Sequence, residues 1–88
     1  MQAWDLEFPE DAEEHLARHG ISLTEVLQIF DGPYTIRRNR GNRTADRVVI
    51  GKTHGGAAIA VFLAETAHDT WVVITGRPAT EGERNRLP

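Results

Sequence analysis

The most continuous apolar pattern in the chain lies near its end, where Thr70 to Thr75 reads Thr-Trp-Val-Val-Ile-Thr. A β-branched and aromatic run of this length is too short for a typical helix, and it predicts a central strand buried on both faces. Gly76, Arg77 and Pro78 follow. The proline has no N–H for a sheet ladder, so the strand is expected to stop there with the Arg77 guanidinium held at its mouth. That arginine has two readings, a fixed cation for an anionic ligand or an aliphatic stem covering the end of a small core.

Earlier segments supply the rest of the sheet. Ala57 to Ala64 is apolar throughout, and Arg47 to Lys52 places Val48 and Ile50 on one face. Between them His54-Gly55-Gly56 reads as a hairpin tip, while Thr66 to Asp69 turns the chain into the last strand. Tyr34 to Arg38 is a further strand candidate, followed by a polar, glycine-containing loop at 39–45. At the start, Trp4, Leu6 and Phe8 alternate with Asp5 and Glu7, which predicts a short half-buried strand over Ala3 to Phe8.

Helical periodicity is confined to 10–31. Pro9 precedes Glu10, Asp11, Glu13 and Glu14, acidic residues that suit a helix N-terminus. The segment runs to about Arg18 with Ala12 and Leu16 inward, and Gly20 is its stop. Ser22-Leu23-Thr24-Glu25 is a capping box, with Ile21 and Val26 placed to form a hydrophobic staple. Leu23, Val26, Leu27 and Phe30 form the buried stripe, and Asp31-Gly32-Pro33 ends the helix. A weaker capping pattern, Thr80-Glu81-Gly82-Glu83, predicts a terminal helical turn. The expected product is an α+β domain of order β-α-α-β-β-β, a helical hairpin packed on a largely antiparallel four-stranded sheet.

Eighty-eight residues suffice for one domain spanning 1–88. The chain contains no cysteine, which excludes disulfides and thiolate metal sites. Its first residues lack the basic and apolar regions of a signal peptide, and a soluble cytoplasmic protein is expected. Net charge is −3. Acidic residues dominate 1–31, whereas Arg37, Arg38, Arg40, Arg43, Arg47 and Lys52 face only Asp46 between 37 and 52. Such a patch is either a solvated hairpin or an electrostatic footprint for phosphate or an acidic partner.

Phosphate-loop, dinucleotide-binding, nucleophile-elbow and paired-cysteine motifs are all absent, and no cofactor is expected. His15 and His19 share zinc-like spacing on a helix but lack a convincing third ligand, so no metal site is assigned. What stands out is a set of arginines and histidines. Cleavage of RNA through its own 2′-hydroxyl needs a proton acceptor, fixed positive charge for the phosphorane and a proton donor for the departing oxygen. Arginine supplies the charge, and histidine titrates in the range where acids and bases work. His19 is open to a structural role at its helix end as well, His54 reads as a loop residue or an RNA contact, and His68 with Asp69 reads as turn chemistry.

A resemblance extends along nearly the whole chain. Trp4-Asp5, Ala12, Arg18-His19-Gly20-Ile21-Ser22, Glu25, Phe30-Asp31, Arg47 with Val49-Ile50-Gly51, Ile74-Thr75-Gly76-Arg77-Pro78-Ala79 and Glu83-Arg84 occur in an order that resembles the BrnT family of toxins. The resemblance implies a fold like that of the RelE group of ribonucleases and metal-independent cleavage of RNA, free or on the ribosome, that blocks translation. It also implies a cognate DNA-binding antitoxin of ribbon-helix-helix type, joined to the toxin in a hetero-oligomer that represses its own operon. By position, Arg77, Arg47 and His19 match the residues expected to be catalytic. Arg43, Lys52, His54, Glu83 and Arg84 fall where RNA contacts are expected. The alternative from another class is a non-catalytic interaction module of the same fold, which uses the basic hairpin to hold a protein partner or nucleic acid.

Overall fold

The structure is a computed structural model that describes residues 5–39 and 45–87. Trp4, Arg40 and Arg43 therefore lie outside the described residues. Strand β1 (Asp5–Glu7) leads into helices α1 (Ala12–Ala17) and α2 (Leu23–Gln28), the latter extended by a 3-10 turn at Ile29–Asp31. Strands β2 (Tyr34–Arg38), β3 (Arg47–Lys52), β4 (Ala58–Ala67) and β5 (Thr70–Pro78) follow, and α3 (Glu81–Arg84) closes the described chain.

The sheet is five-stranded and mixed, in the order β1-β5-β4-β3-β2. This corrects the expected four-stranded, largely antiparallel sheet. Tyr34 to Arg38 and Arg47 to Lys52 both pair as strands, and β1 lies parallel to β5 with Leu6 opposite Trp71. Hydrophobic alternation announces a strand but carries no information about the direction in which an edge strand docks. The middle of the sheet is β4, not the Thr70–Thr75 run, which is mostly half-buried. Strand β5 does end at Pro78, as expected. Pro78 sits opposite Ile59, and the Ala79 N–H donates to the Ala58 carbonyl at 3.0 Å, so the proline is accommodated where its missing donor is not required.

Both helices of the hairpin form as their end signals dictate. Gly20 takes φ +73°, a left-handed conformation suited to glycine, and stops α1. In the capping box before α2, the Glu25 N–H donates to Ser22 Oγ at 3.1 Å and the Ser22 N–H donates to Glu25 Oε1 at 3.0 Å. Ile21 and Val26 are buried in one cluster with Leu16, Ile29, Val61 and Val73, so the hairpin is sealed onto a single face of the sheet. Leu27 does not join them. It is 51% exposed, because the buried face of this segment is centred on Val26 and Ile29, and Leu27 is turned about 100° from Val26 and about 200° from Ile29 around the helix.

The other face of the sheet carries a smaller cluster of Val48, Ile50 and Ala60, against which Phe62, Ala79 and Leu87 pack. Strand β3 thus buries both its faces, which is why Val48, Val49 and Ile50 are consecutive apolar residues. A bulge in β5 sorts its side chains. Thr75 pairs with Phe62 but Val73 pairs with Leu63, leaving Ile74 as the extra residue. Below it Val73 faces the helices, and above it Thr75 and Arg77 face the opposite side.

Candidate nucleic-acid interface

Strand alternation decides which cations meet. Gly76 is turned toward the helices, so close to them that a Cβ built on it would approach Leu16 Cδ2 within 2.9 Å. The next residue, Arg77, therefore projects from the other face. Ladder pairing places Ala60 and Ile50 across from it, with Val48, Phe62 and Arg37 one pleat further along the same face. These residues border an open cleft of about 510 Å³ lined by Arg37, Arg38, Asn39, Val48, Phe62, Arg77, Glu83 and Arg86. Arg38 borders it only from the strand edge, since its ladder partner is Arg47, but Arg37, Arg77 and Arg86 against one carboxylate leave the lining cationic, although the chain as a whole is acidic.

Arg77 is held on three sides. Its guanidinium carbon lies 5.2 Å from the centroid of the Phe62 ring, a cation–π arrangement. Nη1 donates to Glu83 Oε1 at 2.7 Å and to the Pro78 carbonyl at 3.2 Å, and Nη2 donates to Glu83 Oε2 at 3.0 Å. Glu83 is fixed in turn by the second capping box. Its N–H donates to Thr80 Oγ1 at 3.2 Å, and its Oε1 accepts the Thr80 N–H at 2.8 Å. The side chain of Glu83 is 10% exposed and that of Arg77 is 35% exposed, so the pair is sheltered yet reachable from the cleft.

The hydrogen bonds from Arg77 hold the Glu83 carboxyl down at about 2, with the Thr80 N–H helping against the cost of burial. Reciprocally, the Glu83 carboxylate raises the pKa of Arg77, which remains a permanent cation. Stability contributed by Glu83 is present in full above its unfolded pKa of about 4.3 and is lost as pH falls toward 2. Urea unfolding of the wild-type protein should accordingly weaken between pH 4.5 and 2. Glu83→Gln should flatten that dependence and cost about 1.5–3 kcal/mol at pH 7, the range for hydrogen bonds to charged groups.

The other expected site residues are not gathered here. Arg47 pairs with Leu63, on the helix-bearing face, and its guanidinium carbon lies 5.7 Å from the Trp71 ring centroid beside a shallow depression of about 180 Å³. His19 is exposed just beyond α1, also on the helix side of the sheet. The expectation that Arg77, Arg47 and His19 act at one phosphate is therefore corrected, because sheet alternation sends Arg47 and Arg77 to opposite faces.

His54 is turned back toward the helices, its N–H donating to Gln28 Oε1 at 3.0 Å and its ring bonding Asp31 Oδ2 at 2.8 Å. Those bonds tie the β3–β4 hairpin tip to the end of α2, away from the cleft. Lys52 is exposed and lies outside the cleft lining, as does Arg84. Glu83 does reach the cleft, where it grips Arg77. His15 bonds Asp11 Oδ2 at 3.0 Å on the α1 surface. Asp69 adopts φ +60° in the β4–β5 turn, and His68 pairs with its carboxylate at 3.1 Å, in keeping with a turn role.

Sequence reading missed Arg86 and Phe62. Arg86 lies just beyond α3 and borders the cleft from the chain's C-terminal turn. Phe62 was obscured because Ala57 to Ala64 is apolar at every position and gives no hint of which face is covered.

The chain thus forms a small compact α+β domain in which the sheet face opposite α1 and α2 presents an arginine-lined cleft, flanked by α3. The sequence matches no protein-family model, and no curated protein matches it. No helix among the described residues is long and apolar enough to cross a membrane.

Proposed function

We propose that this chain is an endoribonuclease toxin of a type II toxin-antitoxin system, with a RelE-like arrangement and with the arginine-lined cleft as its RNA site. The resemblance to BrnT toxins supports the class. The observation that carries the reading is that Arg37, Arg77 and Arg86 border one open cleft together with the Phe62 ring. Fixed cations tracking a backbone beside an aromatic ring suit single-stranded nucleic acid.

In the reaction the substrate 2′-oxygen attacks phosphorus as the bond to the 5′-oxygen breaks, leaving a 2′,3′-cyclic phosphate and a 5′-hydroxyl. Arg77, already oriented by Phe62 and Glu83, stabilises the charge that grows on the non-bridging oxygens. Among the described residues that line the cleft there is no imidazole, and its single carboxylate is held ionised far below neutrality. Protons therefore exchange with water. The cleavage rate should rise with pH without an inflection near 6.5, and His19→Ala should retain activity within about twofold. Both are checked with a 5′-labelled RNA oligonucleotide. The proposed partner is a small DNA-binding antitoxin that neutralises the toxin.

A second reading, a non-catalytic module, is favoured by that absence of a neutral-pH acid or base. Induced expression separates the two. Growth arrest relieved by Arg77→Ala, with cyclic-phosphate ends on cellular RNA, supports the enzyme. RNA binding without cleavage and without arrest supports the module.

A further inference from the structure

A guanidinium offers five N–H donors arranged as an end-on fork, from Nη1 and Nη2, and a side-on fork, from Nε and the outer N–H of Nη2. In Arg77 the end-on fork is spent on the two Glu83 oxygens, and the second N–H of Nη1 is spent on the Pro78 carbonyl. Among the described residues no acceptor meets the other two donors, and they are the side-on pair. That pair matches the spacing of two oxygens on a tetrahedral phosphate.

Glu83 is not placed as a competitor that a ligand must displace. Its Oε1 accepts from the Thr80 N–H as well as from Arg77, its backbone N–H is bonded to Thr80 Oγ1, and its side chain is nearly buried. Removing it from Arg77 would break the capping box of α3. We propose that Glu83 is a positioning residue: it locks the end-on fork of Arg77 so that the side-on fork alone receives two non-bridging oxygens of a phosphate in the cleft.

This deepens the ribonuclease reading by assigning the phosphate subsite, yet it can be tested without RNA. The probe is inorganic phosphate, followed through the Arg77 Nε–H resonance in nitrogen-15 NMR spectra, with circular dichroism confirming that each variant is folded. In the wild-type protein phosphate should shift that resonance saturably. Glu83→Gln should weaken the apparent affinity about tenfold, as expected for loss of a charge-assisted bond that orients the arginine. Arg77→Lys keeps an ion pair to Glu83 but has no second fork, and it should weaken phosphate binding at least as much. In an Arg77→Ala background, Glu83→Gln should change phosphate affinity by less than twofold, measured by calorimetry.

Tighter phosphate binding by Glu83→Gln would make Glu83 an internal inhibitor and overturn the assignment. So would unchanged binding, or a wild-type Nε–H signal indifferent to phosphate. If phosphate behaves as expected while RNA is neither bound nor cleaved, the ribonuclease reading falls and the subsite stands. If RNA is cleaved with equal efficiency by Glu83→Gln, the subsite falls and the ribonuclease reading stands.

Discussion

Replacing Arg77 with alanine should lower RNA cleavage by about 10²–10³-fold, the range found when a single preorganised donor to a developing oxyanion is removed. Arg77 is the cleft cation fixed by a ring, a carboxylate and a carbonyl together, so its charge is already in place before the phosphorane forms. Arg37 borders the same cleft from β2, where the ladder sets it opposite Val48. Its loss should weaken RNA binding with a smaller effect on the chemical step. Single-turnover cleavage at saturating RNA separates the two contributions. A rate for Arg77→Ala within threefold of wild type would remove the cleft from the chemistry. Arg47→Ala is the control, since its guanidinium stacks on Trp71 across the sheet.

The largest stability effect outside the cleft is expected at Gly51. This residue lies in β3 directly beneath the 3-10 turn, and a Cβ built on it would sit 2.8 Å from Ile29 Cβ, 3.2 Å from the Ile29 carbonyl oxygen and 3.3 Å from Tyr34 Cβ. Two of these neighbours are side-chain stems and one is backbone, so none can swing aside. Ile29 is completely buried, and moving the turn outward would open the core between α2 and the sheet. Gly51→Ala should therefore destabilise the protein by about 2–3 kcal/mol. Against a total of roughly 4–13 kcal/mol for a domain of this size, that is a large share. Urea unfolding should show the midpoint falling by about 1–2 M with little change in slope. Gly82→Ala in α3 provides the contrast. Nothing lies within 4 Å of its added Cβ, and the better helix former should leave stability equal or higher. A Gly51→Ala midpoint equal to wild type would mean that the 3-10 turn does not press on β3.

Much of the architecture was legible because local signals agree with one another. The Ser22–Glu25 and Thr80–Glu83 capping boxes both form, and Gly20 and Gly56 take positive φ at the turns where they were expected. The errors have specific causes. Leu27 fits a helical stripe, but the face that packs is centred on Val26 and Ile29, and Leu27 falls at its rim. The first strand forms within the expected segment, at Asp5–Glu7, whereas its parallel docking on β5 depends on where the chain returns after crossing the sheet.

The site was less legible than the fold. A basic run from 37 to 52 looks like one patch in sequence, yet alternation along β2 and β3 divides it between faces. Arg37 borders the same cleft as Arg77, while Arg47 meets Trp71. The bulge at Ile74 adds a further change of phase, without which Val73 and Arg77 would share a side. No periodicity in Thr-Trp-Val-Val-Ile-Thr reveals it, because every residue in the run suits either face.

The sequence alone determined the strands, the capped helices, the glycine turns and Arg77 as the cation near the end of the last strand. These follow from interactions within a few residues, namely side-chain branching, backbone N–H satisfaction and the conformational reach of glycine and proline. Only the tertiary structure decided that β1 runs parallel to β5, that Arg77 and Arg47 occupy opposite faces, and that Glu83 grips Arg77 in the cleft that Arg37 and Arg86 also border. Those outcomes depend on ladder register and on elements brought together from distant parts of the chain, and such long-range pairing leaves no periodic mark in the order of residues.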